Sequence, residues 1–415
     1  MRVLFAALPE RSHLYPMVPL AWAMTAAGHE VRMVNAPALT GIVTDTGLVS
    51  APVGRDHGLH EAMKQAPESQ DQDVANWSRL GPGEVDWPTI RDRYETSVPY
   101  GFAPYNDPMI DDVAALAVSW RPHLVVRDPL CYAGAIAARA CDAVHVRLLW
   151  SADVYSRARQ TYLALKGQVP PEERVDPLAD WLDKRGAPFG VSCDEELLHG
   201  QYTLDTLPPS MRPPTTLTAL SMRYVPYNGD AVWWQWLREA PERPRVCLSL
   251  GTTNTEAYGG DYVSVPDILG ALASLDVEVV AALLPQQREA LVDIPANVRV
   301  VEGVALHTLL PSCSAVIHHG GWGTFATALV NAVPQLTLST NVVDLEWRGR
   351  SLERAGAGIH AHHSEVTADL VLRHTRQILE DPGFTSAAQR LRDEAVAMPS
   401  PRDMVATLEQ LVAKR

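Results

Sequence analysis

Short, wholly apolar runs alternate along this chain with longer stretches of helical pattern. Val3 to Leu8 is apolar, a polar turn follows, and Pro16 and Pro19 lead into Leu20-Ala21-Trp22-Ala23-Met24. Proline is tolerated in the first turn of a helix, where its missing N–H has no partner to lose, so the segment reads as strand, loop, helix. The unit recurs at Val31–Asn35, at Leu124–Asp128 before an alanine-rich helix, and at Val144–Leu149. Strands without a polar face, separated by helices, predict a parallel sheet covered on both sides. The pattern restarts at Val246–Leu250 and continues through Val277–Val280, Val298–Val301, Ala315–His318 and Gln335–Leu338. A last helix is expected over Arg402–Ala413, packing back on the first domain.

A chain of 415 residues exceeds what one core sustains, so two α/β domains are expected. The first spans residues 1–224 and carries a polar, aromatic-rich insertion at 68–108. A proline-bearing linker covers 225–244, the second domain 245–398, and the terminal helix 399–415. The region from Pro170 to Pro214 shows no periodicity and is expected to be irregular. Open parallel sheets bind ligands outside the carboxyl ends of their strands, and with two of them the cleft between domains is the expected site.

The net charge of −14 excludes a general nucleic-acid or anionic-membrane surface, which needs clustered Lys and Arg. Any phosphate must then be held locally. Cys131, Cys141, Cys193, Cys247 and Cys313 lie far apart without metal-ligand spacing, and read as reduced thiols of a cytoplasmic protein. The N-terminal apolar run is too short for a signal peptide, and no stretch approaches a membrane span.

The most informative stretch is His318-His319-Gly320-Gly321-Trp322-Gly323-Thr324, which follows a predicted strand and opens a helix. Glycines let a ligand approach the backbone, the helix N-terminus attracts an anion, and His319 and Thr324 can donate further hydrogen bonds. This is the pattern of a diphosphate cradle. Gly251-Thr252, closing the first strand of the second half, offers a second loop to the same edge. A rival reading is a dinucleotide fingerprint, Gly321-x-Gly323-x-x-Ala326, with Asp344 about 20 residues on as the ribose acid. That fingerprint, however, normally occupies the first strand–helix turn of its domain, whereas this one follows at least three strands. In the first half, His13 lies in the first strand–helix loop and Asp128 ends a strand of the same sheet, so the two can act as a base and its orienting carboxylate.

The segments Ser12-His13-Leu14, Val18-Pro19-Leu20-Ala21-Trp22, Trp120-Arg121-Pro122-His123-Leu124, Arg147-Leu148-Leu149-Trp150, His318-His319-Gly320-Gly321 and Ala355-Gly356-Ala357-Gly358-Ile359 carry a resemblance over nearly the whole chain. The sequence resembles the inverting family 1 glycosyltransferases of the GT-B fold, two Rossmann-like domains facing a cleft, from the branch that decorates macrolides and other polyketides in antibiotic-producing actinomycetes.

The resemblance implies a transfer that needs neither metal nor cofactor, from a dTDP-linked sugar to a polyketide-like acceptor, with His13 as general base and Asp128 orienting it. It places the diphosphate on His319, Gly321, Trp322, Gly323 and Thr324, with Gly251 and Thr252 opposite, the backbone of Val304 at the base, and Asp344 at the sugar's hydroxyls. Leu345, where relatives often carry Gln, and the bulky Trp322 point to a less polar, deoxygenated sugar. Many members of the branch depend on an auxiliary protein resembling a cytochrome P450, and Trp77, Trp87, Tyr94, Tyr100, Phe102 and Tyr105 of the insertion are expected to serve as its anchors. A homodimer is also compatible with the family. An NAD-dependent oxidoreductase, or a sugar-nucleotide epimerase or hydrolase on the same fold, is the alternative. The pair Asp71-x-Asp73 reads as solvated surface rather than a metal site.

Overall fold

The computed structural model describes residues 1–65, 75–252, 255 and 260–414; Asp71 and Asp73 lie outside them. The chain divides into two compact units, one comprising residues 1–59, 75–225 and 398–414 and the other residues 60–65 and 226–397.

The first unit is built on seven strands: β1 (Arg2–Ala6), β2 (Glu30–Asn35), β3 (Ser50–Pro52), β4 (Leu124–Arg127), β5 (Val144–Leu148), β6 (Tyr202–Asp205) and β7 (Ala219–Ser221). They lie in the order β3-β2-β1-β4-β5-β6-β7, every pair parallel. The order reverses between β1 and β4, where chain connections diverge to opposite sides and leave a crevice at the carboxyl ends. β1, β4 and β5 are buried almost throughout, as their unbroken apolar runs require. The final helix, Pro401–Ala413, packs against the helix Val18–Ala26. Its start is closed by a capping box between Ser400 and Asp403.

Two expectations are corrected in this unit. The stretch from Pro170 to Pro214 is not irregular: it forms the helices Pro177–Gly186 and Glu195–His199 and then β6. Its strand lacks an apolar signature because Thr203 and Asp205 are buried as partners of arginines, Thr203 Oγ1 accepting from Arg147 at 3.1 Å and Asp205 pairing with Arg212 at 3.1 Å. The aromatic insertion is likewise no display of interface anchors. Trp77, Trp87, Tyr94 and Phe102 are buried in the unit's own core, where Trp77 packs on Tyr94, Phe102 and Tyr155, and Tyr105 donates to Glu10. Only Tyr100 of the six is fully exposed, so the expected auxiliary protein rests on the resemblance alone.

The second unit holds β8 (Arg245–Ser249), β9 (Glu278–Leu283), β10 (Val298–Glu302), β11 (Ala315–His318), β12 (Gln335–Ser339) and β13 (Gly358–His362). Their order is β10-β9-β8-β11-β12-β13, again all parallel. Here the reversal falls between β8 and β11. Val246, Leu248, Ile317, Leu336 and Leu338 line one packed layer with helical Ile268, Leu269 and Val371. The described cysteines are all free thiols. Among the described residues no helix is long and apolar enough to cross a membrane.

Candidate active site

Both reversal points carry the residues singled out by sequence. In the first unit, Ala6 of β1 pairs with Arg127 of β4, so the loops leaving these two strands are neighbours. His13 sits in the short helix Arg11–Leu14 after β1, and Asp128 follows β4. The register brings together side chains 115 residues apart: His13 Nδ1 lies 3.2 Å from Asp128 Oδ2. Asp128 is completely buried yet fully satisfied. Oδ1 accepts from the backbone of Leu130 at 2.7 Å and of Cys131 at 3.0 Å, and Oδ2 from that of Leu8 at 2.5 Å as well as from His13. A carboxylate held by three backbone N–H groups cannot swing. It therefore fixes the histidine tautomer with the proton on Nδ1 and leaves Nε2 to accept one. Trp150 packs on the imidazole with ring centroids 4.2 Å apart.

Sequence reasoning missed the support beneath this pair. Arg127, wholly buried, donates to the carbonyls of Asp128 at 2.9 Å and Pro129 at 2.8 Å, to those of Leu197 and Leu198 at the end of the helix Glu195–His199, and to His145 Nε2 at 2.8 Å. Burial and the neighbouring Arg147 lower its pKa to about 10. It remains a cation, and burial, with the Arg127 charge alongside, keeps His145 neutral.

In the second unit, Ser249 of β8 pairs with His318 of β11, so the Gly251 and His319 loops also leave from adjacent strands. His318 is buried, with Nε2 2.8 Å from Gln335 Oε1 and Nδ1 accepting from the Gly320 backbone at 3.1 Å. Burial, with His319 and Arg348 nearby, drives its pKa down to about 3. It is a neutral brace for the loop. His319 is partly exposed, and its ring lies between two glycines. A Cβ on Gly251 would stand 2.3 Å from His319 Cε1, and one on Gly321 2.3 Å from Nε2. Burial and the Arg348 guanidinium lower the His319 pKa to about 4, the Ser249 backbone opposing.

The helix Trp322–Val330 begins immediately after this loop, with Gly321 as an N-cap that offers no side chain. Its first N–H groups are therefore left for a ligand. Gly323 and Thr324 occupy that first turn, Thr324 largely buried. Thr252 follows Gly251 half-buried, and Val304 lies beyond β10 against the cluster formed by Val316 and Leu309. Asn228, also missed, fastens the helix: its amide nitrogen donates to Thr327 at 3.3 Å and its oxygen accepts from the His307 backbone at 3.0 Å.

Asp344 departs from expectation. Its side chain is 1% exposed, and both oxygens are held by Arg348, at 2.6 and 2.9 Å. The carboxylate faces the interior, so this structure offers no Asp344 oxygen to a sugar. The dinucleotide fingerprint is also misplaced for an oxidoreductase, since it follows β11, the fourth strand of its sheet.

Comparison with known proteins gives the same picture. Residues 22–251 match the N-terminal domain of the erythromycin biosynthesis protein CIII-like family and residues 266–411 its C-terminal domain. The chain is 45% identical over its full length to 98% of the 10-deoxymethynolide desosaminyltransferase of Streptomyces venezuelae. It is 41% identical, again over its full length, to 97% of the aclacinomycin-T 2-deoxy-L-fucose transferase of Streptomyces galilaeus. Among solved structures, the glycosyltransferase VinC in complex with dTDP matches with a TM-score of 0.90 and 38% identity, covering 100% of both chains. With a parallel α/β sheet in each unit and these relatives across its whole length, the chain belongs to the erythromycin biosynthesis protein CIII-like family and is a glycosyltransferase of the GT-B fold.

Proposed function

We propose that this enzyme transfers a deoxysugar from a dTDP-linked donor to a hydroxyl of a macrolide or other polyketide aglycone, by a single displacement that inverts the anomeric centre and needs no metal. The observation that carries the reading is the buried Asp128 carboxylate holding His13 Nδ1 at 3.2 Å. It leaves Nε2 as the group able to take the acceptor proton. The acceptor oxygen then bonds to the anomeric carbon, the bond from that carbon to the diphosphate oxygen breaks, and dTDP departs with the electron pair.

Negative charge growing on the leaving group is met by the uncapped helix N-terminus at Trp322–Val330 and by His319. Preorganised donors of this kind are each worth about 3 kcal/mol of transition-state stabilisation. His319 is neutral at pH 7 before ligand binds, so it contributes one N–H, and an arriving diphosphate would raise its pKa. The relatives named for desosamine and 2-deoxy-L-fucose transfer support a deoxysugar, and the dTDP bound to VinC supports that nucleotide.

The test pairs binding with stereochemistry. Saturating dTDP is expected to raise the melting temperature while NAD does not, because only a ligand of the native state stabilises by mass action. Transfer from a dTDP-deoxysugar in the presence of a chelator should give product of inverted configuration by NMR. Retention, loss of activity to the chelator, or stabilisation by NAD alone would overturn the reading.

A further inference from the structure

Arg348 is a heavily engaged side chain of the second unit that the proposed chemistry leaves unused. It projects from the helix Leu345–Arg354, 2% exposed. Its Nε and Nη2 form a two-pronged pair with Asp344, and its Nη1 donates to the carbonyl oxygen of Gly320 at 2.7 Å. The guanidinium carbon also lies 5.5 Å from the centre of the Trp322 ring and 5.0 Å from that of Phe325, both in the first turn of the helix with the open N-terminus. One cation thus touches the loop, the helix start and the acid that the family resemblance had assigned to the sugar.

The contact with Gly320 has a geometric consequence. The described peptide bonds are trans, and across a planar trans peptide the carbonyl of one residue and the N–H of the next point in opposite directions. Turning this peptide over rotates ψ of Gly320 and φ of Gly321, and both residues are glycines that accept either sign of φ, so without a tether the flip costs little. By drawing the Gly320 carbonyl inward, Arg348 turns the Gly321 N–H away from the buried pair.

We propose that Arg348 is a positioning residue for diphosphate recognition: it locks the Gly320–Gly321 peptide so that the Gly321 N–H faces the donor's diphosphate, and Asp344 serves as its counter-ion rather than as a ligand of the sugar. Lysine would not substitute, because a single ammonium cannot span the two carboxylate oxygens and the carbonyl in the plane that the guanidinium fork provides. The inference rests on the donor reading given above.

Removing one partner of a buried pair strands the other charge, whereas replacing both by apolar groups often preserves the fold. The decisive variant is therefore Asp344→Leu with Arg348→Met, measured beside Arg348→Lys. Both are expected to bind dTDP at least tenfold more weakly than wild type by calorimetry, the double variant with a near-native melting temperature. Wild-type affinity in the folded double variant would overturn the proposal. A second measurement needs no variant: in wild-type protein labelled with 15N-glycine, saturation with dTDP should shift the Gly321 amide and slow its hydrogen exchange. An unmoved Gly321 amide in protein that does bind dTDP would overturn the inference and leave the donor reading standing. A wild type that does not bind dTDP at all would bring down both.

Discussion

His13 and Asp128 do different kinds of work, and substitution separates them. The His13 ring packs on Trp150, and among the described residues its one polar contact is with Asp128, so His13→Gln removes a base while leaving the fold's support in place. Turnover is expected to fall by about 10²- to 10⁴-fold, the usual contribution of a general base, with dTDP affinity unchanged in calorimetry. Asp128 is also structural, since four N–H groups converge on its two oxygens. Asp128→Asn would turn an amide NH2 toward donors that require an acceptor, so this variant should lose turnover and also about 1–3 kcal/mol of stability in urea unfolding. An Asp128→Asn protein as stable as wild type would contradict the network. The candidate residues are legible in sequence because chemistry marks them: a histidine after the first strand, an acid at the end of another. Arg127 is not, because an arginine ending an apolar strand carries no sign that its donors will grip carbonyls some 70 residues downstream.

At the scale of elements, the diphosphate loop is a strand–turn–helix unit whose glycines serve distinct purposes. Gly321 has φ −55° and ψ 143°, a conformation open to any residue, so its lack of a Cβ matters only for the room it gives the His319 ring. Gly251 is needed twice, for the same ring and for its φ of +76°. Gly321→Ala should therefore displace the imidazole and weaken dTDP binding while the melting temperature stays near that of wild type. Gly251→Ala should weaken binding and in addition cost about 1–2 kcal/mol, the penalty for a Cβ in left-handed backbone. Equal stability of the two variants would show that the backbone argument is wrong. The principal strands are readable because parallel strands buried on both faces must be apolar throughout. β3 and β7, with three residues each, are too short to leave a period, and β6 buries polar residues against arginines, which no hydropathy pattern anticipates.

For the whole molecule the histidines set the acid limit. Burial holds His145 well below its ordinary value, and His318 and His319 at about 3 and about 4, against 6.5 when exposed. As pH falls through 6.5, the unfolded chain takes up protons at these sites and the native state does not, so stability that is complete above pH 6.5 is lost progressively toward pH 4. Asp205, raised to about 6 by burial, and Asp261, also raised by burial, work in the opposite direction but are outnumbered by the histidines. Both units should therefore unfold at lower urea concentration at pH 5 than at pH 7, and a midpoint unchanged over that range would contradict the neutral state of these histidines. Two parallel α/β units, the principal strands, the loops that carry His13, Asp128 and His319, and the family are all written in the residue order, because apolar periodicity and turn chemistry are local. That Asp344 turns inward to Arg348, that the insertion's buried rings fill a core, and that His319 rests between two glycines emerge in the folded molecule. Those outcomes depend on which distant segments the sheet order makes neighbours, and a side chain's partner across 70 or more residues is selected by packing and charge satisfaction, which leave no period in the sequence.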